Sequence, residues 1–68
     1  MNAMFCERLK LARREKGMSQ EKFSRRTGIG RPEIAKYENG IRQPAMDNLM
    51  KLAQILDCSI DWLVGLED

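Results

Sequence analysis

The sequence holds two cysteines, Cys6 and Cys58, and no histidine. A thiolate nucleophile needs a base beside it, and no nucleophile-plus-base set can be assembled around either cysteine. A zinc site needs thiolate or imidazole ligands at close spacing, and no Cys-x-x-Cys pair occurs. The carboxylates are scattered over what reads as helix surface. A 68-residue core is also too small to enclose a typical substrate pocket. Neither catalysis nor a bound metal or other cofactor is expected. Cys6 and Cys58 either close one long loop as a disulfide or remain thiols. Buried or half-buried free thiols are favoured for an intracellular chain.

A different chemistry is suggested by Ser24 to Gly40, SRRTGIGRPEIAKYENG, where glycines and a proline sit among basic residues. Gly28 and Gly30 form G-x-G, yet the third glycine of a dinucleotide fingerprint would fall at Glu33, and no strand precedes the motif. The Walker pattern is missing too. Charge is unevenly divided. Met1 to Arg42 carries 11 Lys/Arg against 5 Asp/Glu, a balance of +6, and Gln43 to Asp68 carries 1 against 5, a balance of −4. A polyanion is a plausible partner for the first part; the plainer alternative is that charged helix faces simply solvate.

The elements that position these residues read as five helices. One domain spans 1–68, with no run of 18 apolar residues and no secretory signal. Met1 to Ala3 precede a second methionine at Met4, and either methionine could be the natural start. The first helix runs from about Ala3 to Lys16, with Phe5, Leu9 and Ala12 on one face and Gly17 as its stop. The second covers about 19–27; Ser19 caps it and Gly28 supplies the tight exit. The third covers about 30–38, burying Ile34 and Tyr37. The fourth runs from about Ala45, a poor cap, to Leu56, with Met46, Leu49, Leu52, Ala53 and Leu56 as its apolar stripe. The fifth runs from Ser59, its cap, to about Val64, with Ile60 and Leu63 inward. No strand is expected, so the class is all-α.

The spacing around Gly28 fits a helix, a short glycine turn and a second helix. Ser24 is small where the next helix must approach, Gly28 takes the turn, and Ile29, Ile34 and Tyr37 return to the core. Together with "KGMSQ", "YENG" followed by "RQP", and "SIDWL", these residues resemble the Cro/repressor-type helix-turn-helix domain of the Xre family, from about Phe5 to Leu66. The resemblance implies a five-helix, lambda-repressor-like domain whose third helix enters the DNA major groove, acting as a two-fold dimer on an inverted repeat.

The resemblance also implies roles. Arg31, Pro32 and Lys36 would face base edges, with Glu33 close by. Arg31 suits guanine O6 and N7. Ser19 and Gln20, at the start of the second helix, would contact phosphate, and Asn39, Arg42 and Gln43 would touch the backbone again. Arg13 and Glu38 match a partly buried salt bridge between the first helix and the end of the third. Gly30 and Pro32 depart from the family's usual residues. Glu33 could accept from cytosine N4, repel phosphates, or cap back to the Gly30 N–H, and the cap is favoured. Either Gly30 or Arg31 could be the cap residue, because a residue before proline avoids helical torsions.

In the acidic part, Trp62 either packs on the domain's own core or forms a dimer seam with Val64 and Leu66. The expected function is a sequence-specific, cytoplasmic transcriptional regulator, a dimeric repressor binding double-stranded DNA, with no small-molecule ligand or membrane partner. No ligand-sensing domain is expected to follow. The alternatives are an antitoxin that binds a toxin protein and represses its own operon, or the controller protein of a restriction–modification locus.

Overall fold

The computed structural model describes residues 3–68, with the Ala3 side chain left out; the question of the natural start falls on Met1 and Asn2, outside that range. Five helices follow one another: α1 Ala3–Glu15, α2 Gln20–Thr27, α3 Arg31–Glu38, α4 Met46–Leu56 and α5 Ile60–Leu63. No strand occurs among the described residues. α1 packs against α3 and α5, α2 against α3 and α4, and α4 against α5. The core between them contains Phe5, Leu9, Phe23, Ile29, Ile34, Tyr37, Leu52 and Leu63, all nearly inaccessible to solvent.

α1 ends one residue short of the expected Lys16. The Gly17 N–H bonds to the Arg14 carbonyl and the Met18 N–H reaches back to the Arg13 carbonyl. Met18 is thereby turned into the core, where it precedes the cap of α2 as Phe23 follows it. A hydrophobic pair at these two positions sets the angle at which a chain enters a helix. Ser19 caps α2 by accepting the Lys22 N–H at 3.1 Å.

The α2–α3 turn is buried at Ile29, so its backbone needs partners inside the protein. Two side chains of α2 supply them. Ser24 Oγ donates to the Ile29 carbonyl at 2.6 Å, and the Ile29 N–H donates to Thr27 Oγ1 at 3.2 Å. Gly28 closes α2 at φ +75, a torsion that a β-carbon would strain. Small size at Ser24 is therefore only part of its use; its hydroxyl holds the turn.

Gly30 is the cap residue of α3, and Arg31 is helical despite preceding proline. The Gly30 carbonyl accepts the Glu33 and Ile34 N–H groups at 3.0 and 3.1 Å. Pro32 sits in the first turn, where a missing N–H leaves no intrahelical bond unmade.

In α4 the stripe Leu49, Leu52, Ala53 and Leu56 is buried, but Met46 is 62% exposed and is not part of it. Helical side chains lean toward the N-terminus, and Met46 at the first position leans past the end of the core. Ala45 caps this helix with backbone only. α4 leaves through Asp57, which adopts a left-handed torsion at φ 55 without being glycine. Ser59 caps α5 by accepting the Trp62 N–H at 2.9 Å. Ile60 is only half-buried and Leu63 is fully inside. Cys6 and Cys58 are free thiols, both half-buried.

Candidate nucleic-acid interface

α3 has two unlike faces because of its residue order. Ile34, Tyr37 and Glu38 point inward, and Arg31, Pro32 and Lys36 are exposed on the outer side. Among the described residues, neither Arg31 nor Lys36 has an ion-pair partner. Two cations one turn and a half apart on a convex helix can reach into a groove without first breaking an internal bond.

Glu33 behaves differently from the cap expected of it. Its Oε2 lies 3.4 Å from Arg42 Nη1, linking the first turn of α3 to the loop that follows the helix. Arg42 reaches this position because the Ile41 and Arg42 N–H groups fold back onto the Lys36 carbonyl, at 2.9 and 3.4 Å. Asn39 caps the C-terminus of α3 through its backbone, and its side chain is exposed, as is that of Gln43. Arg42, Asn39 and Gln43 thus follow one another along a single exposed stretch beside the end of α3.

The start of α2 presents Ser19 and Gln20. The Ser19 oxygen is occupied by the cap, which leaves its O–H proton as a donor. Gln20 is half-buried, and its Nε2 donates to Glu38 Oε1 at 3.1 Å. Glu38 also receives Arg13 Nε at 2.6 Å and Arg13 Nη2 at 3.0 Å. Arg13 Nη1 donates to the Met18 carbonyl at 2.7 Å. The Arg13–Glu38 pair is present and is more deeply buried than expected, with side-chain exposures of 9% and 1%. It joins α1, the α1–α2 turn, α2 and α3 at one point. The Gln20 link was not anticipated, because the resemblance assigned Gln20 to phosphate and Glu38 to Arg13 alone, and no local pattern joins positions 18 apart.

The acidic end carries a second cluster. Trp62 is half-buried against the core, with Val64 beside it in the same condition and Leu66 77% exposed. Arg8, a residue with no role assigned by its sequence position, places its guanidinium over the Trp62 ring and donates to the Trp62 and Glu67 carbonyls. Burial pushes the Cys58 thiol above its usual range; the Asp57 carboxylate adds to this and Lys16 opposes it. No group of three or more potential metal ligands gathers among the described residues, and no described helix is long and apolar enough to cross a membrane.

A short helix held by its cap, a glycine turn that buries Ile29 and a following helix with an exposed basic face make a helix-turn-helix unit. The helix-turn-helix family model matches residues 9–63, and the chain belongs to that family. It is 44% identical over 61 residues to the SPbeta prophage-derived uncharacterized HTH-type transcriptional regulator YonR of Bacillus subtilis, covering 90% of this chain and 56% of that protein. It is 39% identical to the cryptic phage CTXphi transcriptional repressor RstR of Vibrio cholerae, covering 87% of this chain and 53% of that one. The chain therefore spans about half the length of these curated relatives. The crystal structure of the restriction-modification controller protein C.AhdI from Aeromonas hydrophila superposes with a TM-score of 0.84 at 34% identity, covering 90% of this chain and 92% of that one.

Proposed function

We propose that this chain is a cytoplasmic, sequence-specific DNA-binding regulator of transcription, acting as a repressor. The observation that carries the reading is the outer face of α3, where Arg31 and Lys36 stand exposed and, among the described residues, without ion-pair partners, beside a helix-turn-helix turn held by Ser24 and Thr27. α3 enters the major groove with Arg31 on a guanine and Lys36 on a less selective acceptor, while Pro32 packs on the groove wall. Glu33, which shares its carboxylate with Arg42, is a further acceptor for cytosine N4 on this face. Ser19, Gln20, Asn39, Arg42 and Gln43 grip phosphates on either side. The relatives named as transcriptional regulators and as a phage repressor support this reading.

The chain binds as a homodimer on an inverted repeat, with Trp62, Val64 and Leu66 at the seam. Half-sites then lie about 34 Å apart, one turn of B-DNA. A controller protein of a restriction–modification locus is a second reading, favoured by the match to nearly the whole of C.AhdI.

In vitro selection from a randomised duplex pool tests all of this together. Enrichment of two inverted half-sites is the expected result. Recovery of no consensus, with binding that persists unchanged at high salt, would remove the reading, because phosphate contacts must weaken steeply as salt rises. A small toxin co-purifying with the chain would move the assignment toward an antitoxin.

A further inference from the structure

Glu38 is 3% exposed, and its carboxylate holds three donors, two from Arg13 and one from Gln20. The bidentate Arg13 pair already matches the carboxylate's charge, so the Gln20 contact is not needed to neutralise it. It does something else: it fixes Gln20. Only the NH2 end of an amide can meet a carboxylate, so the amide cannot flip to present its oxygen there. Gln20 is the first residue of α2, beside a Ser19 oxygen already committed to the cap.

A primary amide carries two N–H donors. With one on Glu38, the second is held in a fixed direction at the positive end of the α2 dipole and is polarised by the carboxylate behind it. Because Arg13 cancels the charge of Glu38, an incoming anion meets no net repulsion there. We infer that Glu38 is a positioning residue for DNA-backbone recognition, orienting the Gln20 amide so that its second N–H meets a phosphate oxygen beside the N-terminus of α2. The inference rests on the DNA-binding reading above. It spares the protein the cost of ordering a flexible glutamine on binding.

The test is a double-variant cycle on affinity for a random-sequence duplex, read by fluorescence anisotropy at low salt. Gln20→Ala and Glu38→Gln are each expected to weaken binding by about tenfold. The double variant is expected to bind no worse than the weaker single one, since both remove the same contact. Penalties that multiply overturn the inference, as does a Glu38→Gln chain that binds like the wild type. Glu38→Gln also disturbs Arg13, so far-UV circular dichroism accompanies each variant and the wild type is read directly. Its Gln20 side-chain amide is expected to give proton resonances displaced from those of exposed Gln54 by the bond to Glu38, one of which shifts further on adding duplex. Gln20 amide resonances that coincide with those of exposed Gln54, or that stay unmoved at saturation, overturn the inference even if Glu38→Gln fails to fold. A wild-type chain with no duplex affinity removes the DNA-binding reading along with it, a result distinct from multiplying penalties in a chain that binds.

Discussion

The Arg8 guanidinium carbon lies 4.9 Å from the centroid of the Trp62 ring, and the same guanidinium donates to the carbonyls of Trp62 and Glu67. Ser59 Oγ donates to the Glu67 carboxylate from the other side. One cation on α1 thus pins α5 and the residues after it against the domain, and leaves Leu66 directed at solvent.

Arg8→Ala is expected to cost about 1–2 kcal/mol and to shift Trp62 emission to the red as water reaches the ring. Leu66→Asp is expected to weaken the proposed dimer while leaving the unfolding midpoint unchanged at concentrations where the chain is monomeric. Sedimentation equilibrium reads the first effect. A wild-type chain that stays strictly monomeric at high concentration removes the seam assigned to Trp62, Val64 and Leu66, although dimerisation on DNA would remain open to measurement by gel shift.

The Arg13–Glu38 pair makes an asymmetric prediction. Removing one partner, as in Arg13→Met, strands a buried carboxylate and is expected to cost about 3–5 kcal/mol, a large share of the stability of a domain this small. Replacing both, with Arg13→Met and Glu38→Leu, is expected to recover most of that loss. Urea unfolding of the three proteins checks it; a double variant no better than Arg13→Met would contradict the desolvation argument.

Arg31 and Arg42 are expected to separate base reading from backbone grip. Arg31→Ala should cost about 1–3 kcal/mol on the selected site and relax preference at one base position. Arg42→Ala should weaken all duplexes alike and lower the salt slope by about 1. Equal loss on cognate and random duplex for Arg31→Ala would count against its base contact.

Asp57 holds a left-handed torsion at the C-terminus of α4, where its charge also faces the negative end of the helix dipole. Asp57→Gly is expected to stabilise the fold by about 0.5–1 kcal/mol, seen as a higher urea midpoint at constant slope. A lowered midpoint would show that the carboxylate makes a compensating contact.

Cys58 predicts a pH dependence. Burial, reinforced by Asp57, raises its pKa, so the folded chain keeps a thiol proton that the unfolded chain loses first. Its contribution to stability is full below the ordinary thiol range and is lost as pH climbs through the raised value. Cys58→Ser is expected to flatten the alkaline fall in thermal midpoint. Thiol-specific alkylation of native Cys58 should also be slower than that of an unfolded control.

Much of the fold was legible because its signals are local. The caps Ser19 and Ser59, the glycine after each of α1 and α2, and the apolar spacing of Phe5, Leu9 and Ala12 all act within about one helical turn. The turn at Gly28 and Ile29 followed from the same logic. Met46 was misread because it satisfies the apolar spacing of α4 but lies at the first helical position, beyond the end of the core it would join. Glu33 had a local partner available in the Gly30 N–H and instead sits against Arg42, which the loop after α3 folds back toward it.

The amino-acid sequence alone determined the five helices, the turn between α2 and α3 and the basic outer face of α3, since periodicity, capping and charge are written in neighbouring residues, and its motifs carried the resemblance to the family. The tertiary structure decided which polar side chains meet. Gln20 with Glu38 and Arg8 with Trp62 are separated by 18 and 54 positions. Such contacts depend on the angles at which helices pack around one core, and those angles come from the shape of all the buried side chains together.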